Sequence, residues 1–153
     1  INYTFKNKKV FILGAGGVVP SIILALKKLD VSSIFLSNRT KQKAEELKNI
    51  YNYIEIVDWG QNINFEIIIN ATSIGLKKNE QINLDLSKVG SNKLFYDVIY
   101  NPNKTNFLLK GEKLGNKIEN GKMMFIYQAQ LAFKIWHNIL PKIDDEIIKL
   151  LET

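Results

Sequence analysis

Apolar runs alternate with amphipathic segments along the chain. KKVFIL (residues 8–13) predicts a buried strand, and VPSIILALKKL (19–29), with apolar residues at helical spacing, predicts a helix. SSIFLS (32–37) reads as a second strand, followed by a polar helix from Thr40 to about Ile50. Tyr53 to Val57 alternates as a third strand. FEIII (65–69) is a fourth, and its nearly unbroken apolar pattern implies cover on both faces. KLFYDVI (93–99) is a fifth. A helix is expected from Thr105 to Leu114, with Thr105 as its N-cap and Gly115 as its C-terminal stop. A long helix should run from about Lys122 to Leu140, ended by Pro141, and a short one from Asp144 to Leu151.

Strands that alternate with helices imply a parallel sheet covered on both faces. Right-handed crossovers leave an α/β, doubly wound Rossmann-type sheet as the expected fold, with six strands in order 3-2-1-4-5-6. A single domain should span the 153 residues. The long helix carries its few polar positions at Lys122, Gln128, Gln130, Lys134, His137 and Asn138. Apolar residues occupy the rest of its circumference, so it should be buried on more than one side. The sheet can cover only one face, which should leave Phe125, Tyr127, Leu131 or Trp136 exposed and prone to self-association.

Composition sets limits on this picture. An apolar fraction of 46% and a charged fraction of 24% belong to a soluble globular domain. The absence of cysteine excludes disulfides and Cys-based zinc sites. A net charge of +6 and a pI near 9.4 raise the question of nucleic acid, but the lysines are spread along the chain without a basic block, and none is expected to bind. VFILGAGGVVPSIILAL (10–26), flanked by lysine pairs, superficially resembles a signal peptide or a short span. Ala15, Gly16, Gly17 and Pro20 interrupt it, and it is shorter than the ~20 residues needed to cross hydrocarbon. A strand, a tight turn and a helix account for it, so the expectation is a cytoplasmic protein without membrane contact. The first residue, Ile1, suggests a piece of a longer protein.

The chemistry starts at Gly14-Ala15-Gly16-Gly17, which directly follows a strand and directly precedes a helix. In a dinucleotide fold the first glycine makes the tight turn and the second lets a pyrophosphate approach the backbone. The helix N-terminus then offers free N–H groups and positive dipole. By itself the motif is also compatible with an ordinary turn. Val19 stands where a third glycine would be, and Pro20 is tolerated in a first helical turn.

Arg39 is the only arginine among 21 Lys+Arg residues. It lies past the second strand, where NAD-binding domains place an acid on the ribose hydroxyls. Here the sequence reads Ser37-Asn38-Arg39-Thr40, with no acid. A carboxylate would repel a 2′-phosphate, whereas a guanidinium binds it bidentately and stacks on adenine. Asn38 and Thr40 add neutral donors, and Thr40 can also cap the next helix. A surface arginine without a task is the alternative, but the pattern points to NADP. Asn70-Ala71-Thr72-Ser73-Ile74-Gly75 places small and hydroxylated residues at a strand's carboxyl end, where ligands bind in open α/β sheets. Alone it could be a simple turn.

Together with Asp97-Val98-Ile99-Tyr100-Asn101-Pro102, Thr105, Leu108, Gly115, the run Asn120 to Ala129, and Phe133 to Trp136, these segments resemble the shikimate dehydrogenase family. The resemblance covers about Lys9 to Leu140 and corresponds to the C-terminal, NADP-binding domain. It implies reduction of 3-dehydroshikimate to shikimate, a step of aromatic amino-acid biosynthesis. It also implies a preceding α/β domain that binds most of the substrate and supplies a catalytic Lys–Asp pair, so no catalytic residue is expected in this chain.

Carried over residue by residue, Gly14, Ala15, Gly16 and Gly17 would hold the pyrophosphate, and Asn38, Arg39 and Thr40 the 2′-phosphate and adenosine. Ala71, Thr72 and Ser73 would lie along the cofactor. Val98, Gly121 and Met124 would sit near the nicotinamide, and Tyr100 and Gln128 would reach the substrate. Val19, Pro20, Gly111, Phe125 and Tyr127 depart from the family pattern. A quinate/shikimate dehydrogenase and a stand-alone nucleotide-binding module remain alternatives. His137, the sole histidine, has no evident carboxylate partner and is expected to be structural or solvent-facing. Met123 and Met124 are expected to pack. Asp144-Asp145-Glu146 should cap and charge the last helix rather than hold a metal.

Overall fold

The structure is a computed structural model that describes residues 3–77 and 79–150. Six strands form one parallel sheet in order β3-β2-β1-β4-β5-β6. They are β1 (Lys9–Leu13), β2 (Ser33–Ser37), β3 (Ile54–Ile56), β4 (Ile67–Asn70), β5 (Leu94–Asp97) and β6 (Lys117–Glu119). The helices are α1 (Val19–Lys28), α2 (Lys41–Ile50), α3 (Asn106–Lys113), α4 (Lys122–His137) and α5 (Asp145–Leu150). The expected fold and strand order are the observed ones.

The alternation of side chains along each strand sorts the core into two faces. Val10 and Ile12 of β1, Ile34 and Leu36 of β2, and Ile67 and Ile69 of β4 face α1 and α2, where Val19, Ile23, Leu26 and Ala44 are buried. Phe11, Leu13, Ile68 and Phe95 point the other way, toward Phe107 and Leu108 of α3. Full burial of one such side chain contributes about 1.5–3 kcal/mol relative to leaving it in water. Part of the second face lies under the irregular β4–β5 connection, whose Leu84 and Leu86 are buried. Gly111 lets α3 settle directly on the sheet, since an added Cβ would stand 2.5 Å from Cγ of Phe95.

Several boundaries differ from the sequence expectation. β3 is shorter than Tyr53–Val57, and β4 begins at Ile67, where its register against Val10 of β1 starts. Periodicity does not place β6, because three residues, Lys-Ile-Glu, are too few to show alternation. Thr105 does cap α3, accepting a hydrogen bond from the Leu108 amide at 3.3 Å, and Gly115 follows α3 with φ +76°. α4 stops at His137 rather than Leu140. Asn138 turns left-handed there (φ 56°), a conformation its short polar side chain tolerates, so the helix ends before Pro141. Asp144 caps α5 by accepting from the Ile147 amide at 3.0 Å. The expected last residue of that helix, Leu151, lies outside the described residues.

Candidate functional site

The sheet order reverses at β1, which has β2 on one side and β4 on the other. In open α/β sheets, that reversal opens a crevice at the strands' carboxyl ends. Gly14 stands at the crevice floor with φ +106°, and a Cβ there would lie 2.7 Å from the Ala71 carbonyl oxygen. Both the conformation and the close approach therefore require glycine. The Gly14 amide donates to the Ser37 carbonyl (2.8 Å) and the Ala71 amide to the Leu13 carbonyl (2.8 Å), so the turns after β1, β2 and β4 are mutually fixed. Asn38 tightens the array: Oδ1 accepts from the Ala15 amide at 3.2 Å and Nδ2 donates to the Thr40 carbonyl at 2.8 Å. One donor expected to be free for a ligand is thus engaged in holding the loop. Thr40 occupies the N-cap position of α2 in an extended conformation, but its hydroxyl makes no capping bond.

α1 begins without a side-chain cap and without an acid in its first turn. Among the described residues, the Gly16 and Gly17 amides have no protein acceptor. That leaves backbone donors and positive dipole at the crevice.

A cleft of about 680 Å³ opens over these turns. Nine expected residues line it: Gly14, Ala15, Gly16, Asn38, Arg39, Thr40, Ala71, Thr72 and Ser73. Three other hollows, of about 310, 230 and 240 Å³, lie elsewhere on the surface. Among the described residues, the lining of the large cleft contains two cations, Arg39 and Lys43, and no carboxylate. Arg39 is exposed and makes no ion pair among the described residues. Lys41, by contrast, is paired with Asp58 at 3.1 Å, which raises its pKa.

Lys43, Trp59, Gln81 and Asn83 also line the cleft and are not among the expected residues, and Ile74 joins them from the turn at residues 70–75. Lys43 had a signal: it follows Thr40 by three residues, one turn into α2, and so points from the same helix end. Trp59, Gln81 and Asn83 come from irregular segments, where periodicity assigns no position.

Behind the cleft, a buried polar network joins three chain segments. Asp97 accepts from Asn70 Nδ2 (3.0 Å), the Ile99 amide (3.0 Å) and the Thr105 hydroxyl (2.6 Å). Asn70 Oδ1 accepts from both the amide (3.1 Å) and the hydroxyl (2.7 Å) of Thr72, so the cleft wall is anchored to the N-cap of α3. Burial pushes the Asp97 carboxyl above the usual aspartate range, and its three donors only partly offset this. Tyr96, beside it on β5, is pushed up to about 12 by burial, with Glu119 and Asp97 adding to the effect.

The remaining expected residues are not in the lining of this cleft. Gly17 lies at the entry to α1, exposed. Val98 and Gly121 touch backbone to backbone, since a Cβ on Gly121 would come within 2.0 Å of the Val98 carbonyl oxygen. Tyr100 stacks on Phe125 with ring centroids 4.8 Å apart. Met124 is half-buried and Gln128 exposed, one turn apart on α4. This second group marks the β5 end and the start of α4. His137 is exposed and packs on Phe133, with ring centroids 4.3 Å apart, in keeping with a solvent-facing role. No cluster of three or more metal-ligating side chains occurs among the described residues. No helix among them is long and apolar enough to cross a membrane.

The sequence profile described as Shikimate / quinate 5-dehydrogenase matches residues 1–102. A shikimate dehydrogenase (NADP(+)) of Pelagibacter ubique is 60% identical over 148 residues, 97% of this chain and 56% of that protein. A crystal structure of shikimate dehydrogenase from Aquifex aeolicus superposes with a TM-score of 0.83 at 31% identity, covering 96% of this chain and 54% of the other. A Thermus thermophilus shikimate 5-dehydrogenase in complex with NADP(H) and shikimate gives 0.80 at 26% identity, covering 95% and 54%. The chain therefore spans about half the length of the curated relatives it matches. A matched profile over two-thirds of the chain, the reversal at β1 and the glycine-floored cleft lead to one conclusion: the chain belongs to the shikimate / quinate 5-dehydrogenase family.

Proposed function

We propose that this chain is the NADP(H)-binding part of a shikimate 5-dehydrogenase that reduces 3-dehydroshikimate to shikimate, in the cytoplasm, as a step of aromatic amino-acid biosynthesis. One observation carries the choice of cofactor: among the described residues, the cleft lining pairs Arg39 and Lys43 with no carboxylate. A 2′-phosphate is attracted by that charge, whereas the ribose diol of NAD would find no acid to accept its hydroxyls. The residues fit the group. Gly14 forms a cradle that any Cβ would fill, and the Gly16 and Gly17 amides remain available for a pyrophosphate. The name of the Pelagibacter relative supports the same reading.

In this reading, the bound nicotinamide supplies the hydride. Gly14 to Gly17 hold the pyrophosphate, Arg39 with Asn38, Thr40 and Lys43 holds the 2′-phosphate side, and Ala71, Thr72 and Ser73 form the wall along the cofactor. Val98, Gly121 and Met124 flank the nicotinamide, while Tyr100 and Gln128 face the substrate. Proton donation to the substrate carbonyl falls to residues of a preceding domain, so the chain by itself binds without turning over. The half-length match to the curated relatives supports that division. It also supports a role for the uncovered surface of α4 as the seat of the remaining length. Phe125, Tyr127, Leu131 and Trp136 are 40%, 53%, 55% and 75% exposed there.

Calorimetric titration of Arg39→Ala tests the cofactor assignment. Hydrogen bonds to charged groups are worth ~1.5–3 kcal/mol, so NADPH binding should weaken by roughly 10- to 100-fold while NADH binding hardly moves. Equal losses for both would remove the 2′-phosphate from Arg39.

A further inference from the structure

Trp59 lies three residues beyond the end of β3, and β3 is the strand outside β2 in the sheet. Its position is therefore lateral to the Asn38–Thr40 turn, on the side of the cleft farthest from β4. Two segments meet there. The indole N–H donates to the Asn83 carbonyl at 3.0 Å, although Asn83 belongs to the β4–β5 connection. Trp59 also packs against the core cluster that contains Val57 and Phe65, while lining the cleft together with Gln81 and Asn83. Its single polar group is satisfied and its ring is fixed from behind. What it brings to a lining that also holds Arg39 and Lys43 is an aromatic ring anchored through its N–H.

A flat aromatic surface next to cations and amides, without acids, suits a planar heteroaromatic base joined to a phosphate. We propose that Trp59 is the platform on which the adenine of the dinucleotide stacks, closing the adenosine end of the cleft through its tie to Asn83. The proposal rests on the nucleotide-binding reading above. It assigns to Trp59 a positioning contact shared by NADP and NAD, in contrast to the phosphate contact of Arg39. Base–aromatic stacking removed by alanine substitution corresponds to ~5- to 150-fold in affinity.

The sequence has two tryptophans, and Trp136 is 75% exposed on α4, so Trp136→Phe leaves Trp59 as the sole indole reporter. The probe is 2′,5′-ADP, which carries adenine and the 2′-phosphate but no nicotinamide, with calorimetry run in parallel. Trp59 emission should change saturably with the calorimetric Kd. Trp59→Ala should weaken 2′,5′-ADP, NADPH and NADH by a common factor within ~5- to 150-fold, and Trp59→Phe should restore most of the loss. Unchanged emission or undiminished affinity of Trp59→Ala, while calorimetry registers binding to the parent chain, would overturn the platform and leave the cofactor reading intact. A Trp59→Phe variant as impaired as Trp59→Ala would also overturn it, placing the effect in the N–H tie to Asn83. No calorimetric binding of 2′,5′-ADP or NADPH to the parent chain would defeat the cofactor reading itself, and the platform with it.

Discussion

Asp97 shows how one buried side chain can hold a binding wall in place. Its carboxylate is wholly shielded from solvent yet accepts three hydrogen bonds, two of them from side chains that govern Thr72 and α3. Because burial raises its folded-state pKa above that of the unfolded chain, the folded state binds the proton first as pH falls. The sign follows. Above the raised value, this group carries a constant penalty. As pH falls from there toward the ordinary aspartate value, the penalty is relieved and the folded state gains stability relative to a chain that cannot titrate. Wild type should therefore gain stability relative to Asp97→Asn across that acid window, read by urea unfolding at several pH values. A relative loss on acidification would mean that the hydrogen bonds outweigh desolvation. Gly14 and Arg39 were legible from sequence because each is chemically singular at its place, one by its backbone freedom and one as the only guanidinium. Trp59 and Asn83 were not legible, because their meeting depends on how two irregular segments pack.

At the scale of elements, strong periodicity translated directly into structure and weak periodicity did not. β1, α1 and β2 fall within a residue or so of the expected bounds because each carries a long apolar pattern between clear breakers. β6, at three residues, and the β4–β5 connection, which holds no helix among its described residues, carry no such signal. α3 shows a side-chain reason for an unusual glycine: Phe95 fills the space that an alanine methyl at Gly111 would need. α4 is the element whose pattern exceeds what the sheet can satisfy. Among its described residues only Ile126 is buried, and Ile135 and Trp136 are 80% and 75% exposed. Covering such a patch gains ~25 cal/mol per Å² of apolar surface. The chain should therefore self-associate through α4 with increasing concentration, and Leu131→Glu should weaken that association. Sedimentation velocity over a wide concentration range is the check, and a monomer at every concentration would refute it.

Across the whole molecule, a cleft braced by hydrogen bonds stands apart from the exposed apolar surface of α4. The turns after β1, β2 and β4 that floor the cleft sit at the strand ends and are braced by main-chain and side-chain bonds, the arrangement that positions a ligand well. In the proposed reading, the proton donor to the substrate carbonyl lies beyond this chain, and effective molarity is lost without it. Pure chain mixed with shikimate and NADP should accordingly show no NADP reduction, and robust turnover would place a catalytic lysine among these 153 residues. The central claim, that the acid-free cation pair of the cleft selects NADP(H), meets its most direct test in calorimetric titration of the unmodified chain with NADPH and NADH at equal ionic strength. A charged 2′-phosphate hydrogen-bonded by a guanidinium corresponds to an advantage of roughly 10- to 100-fold for NADPH. Equal affinities, or tighter binding of NADH, would contradict the account.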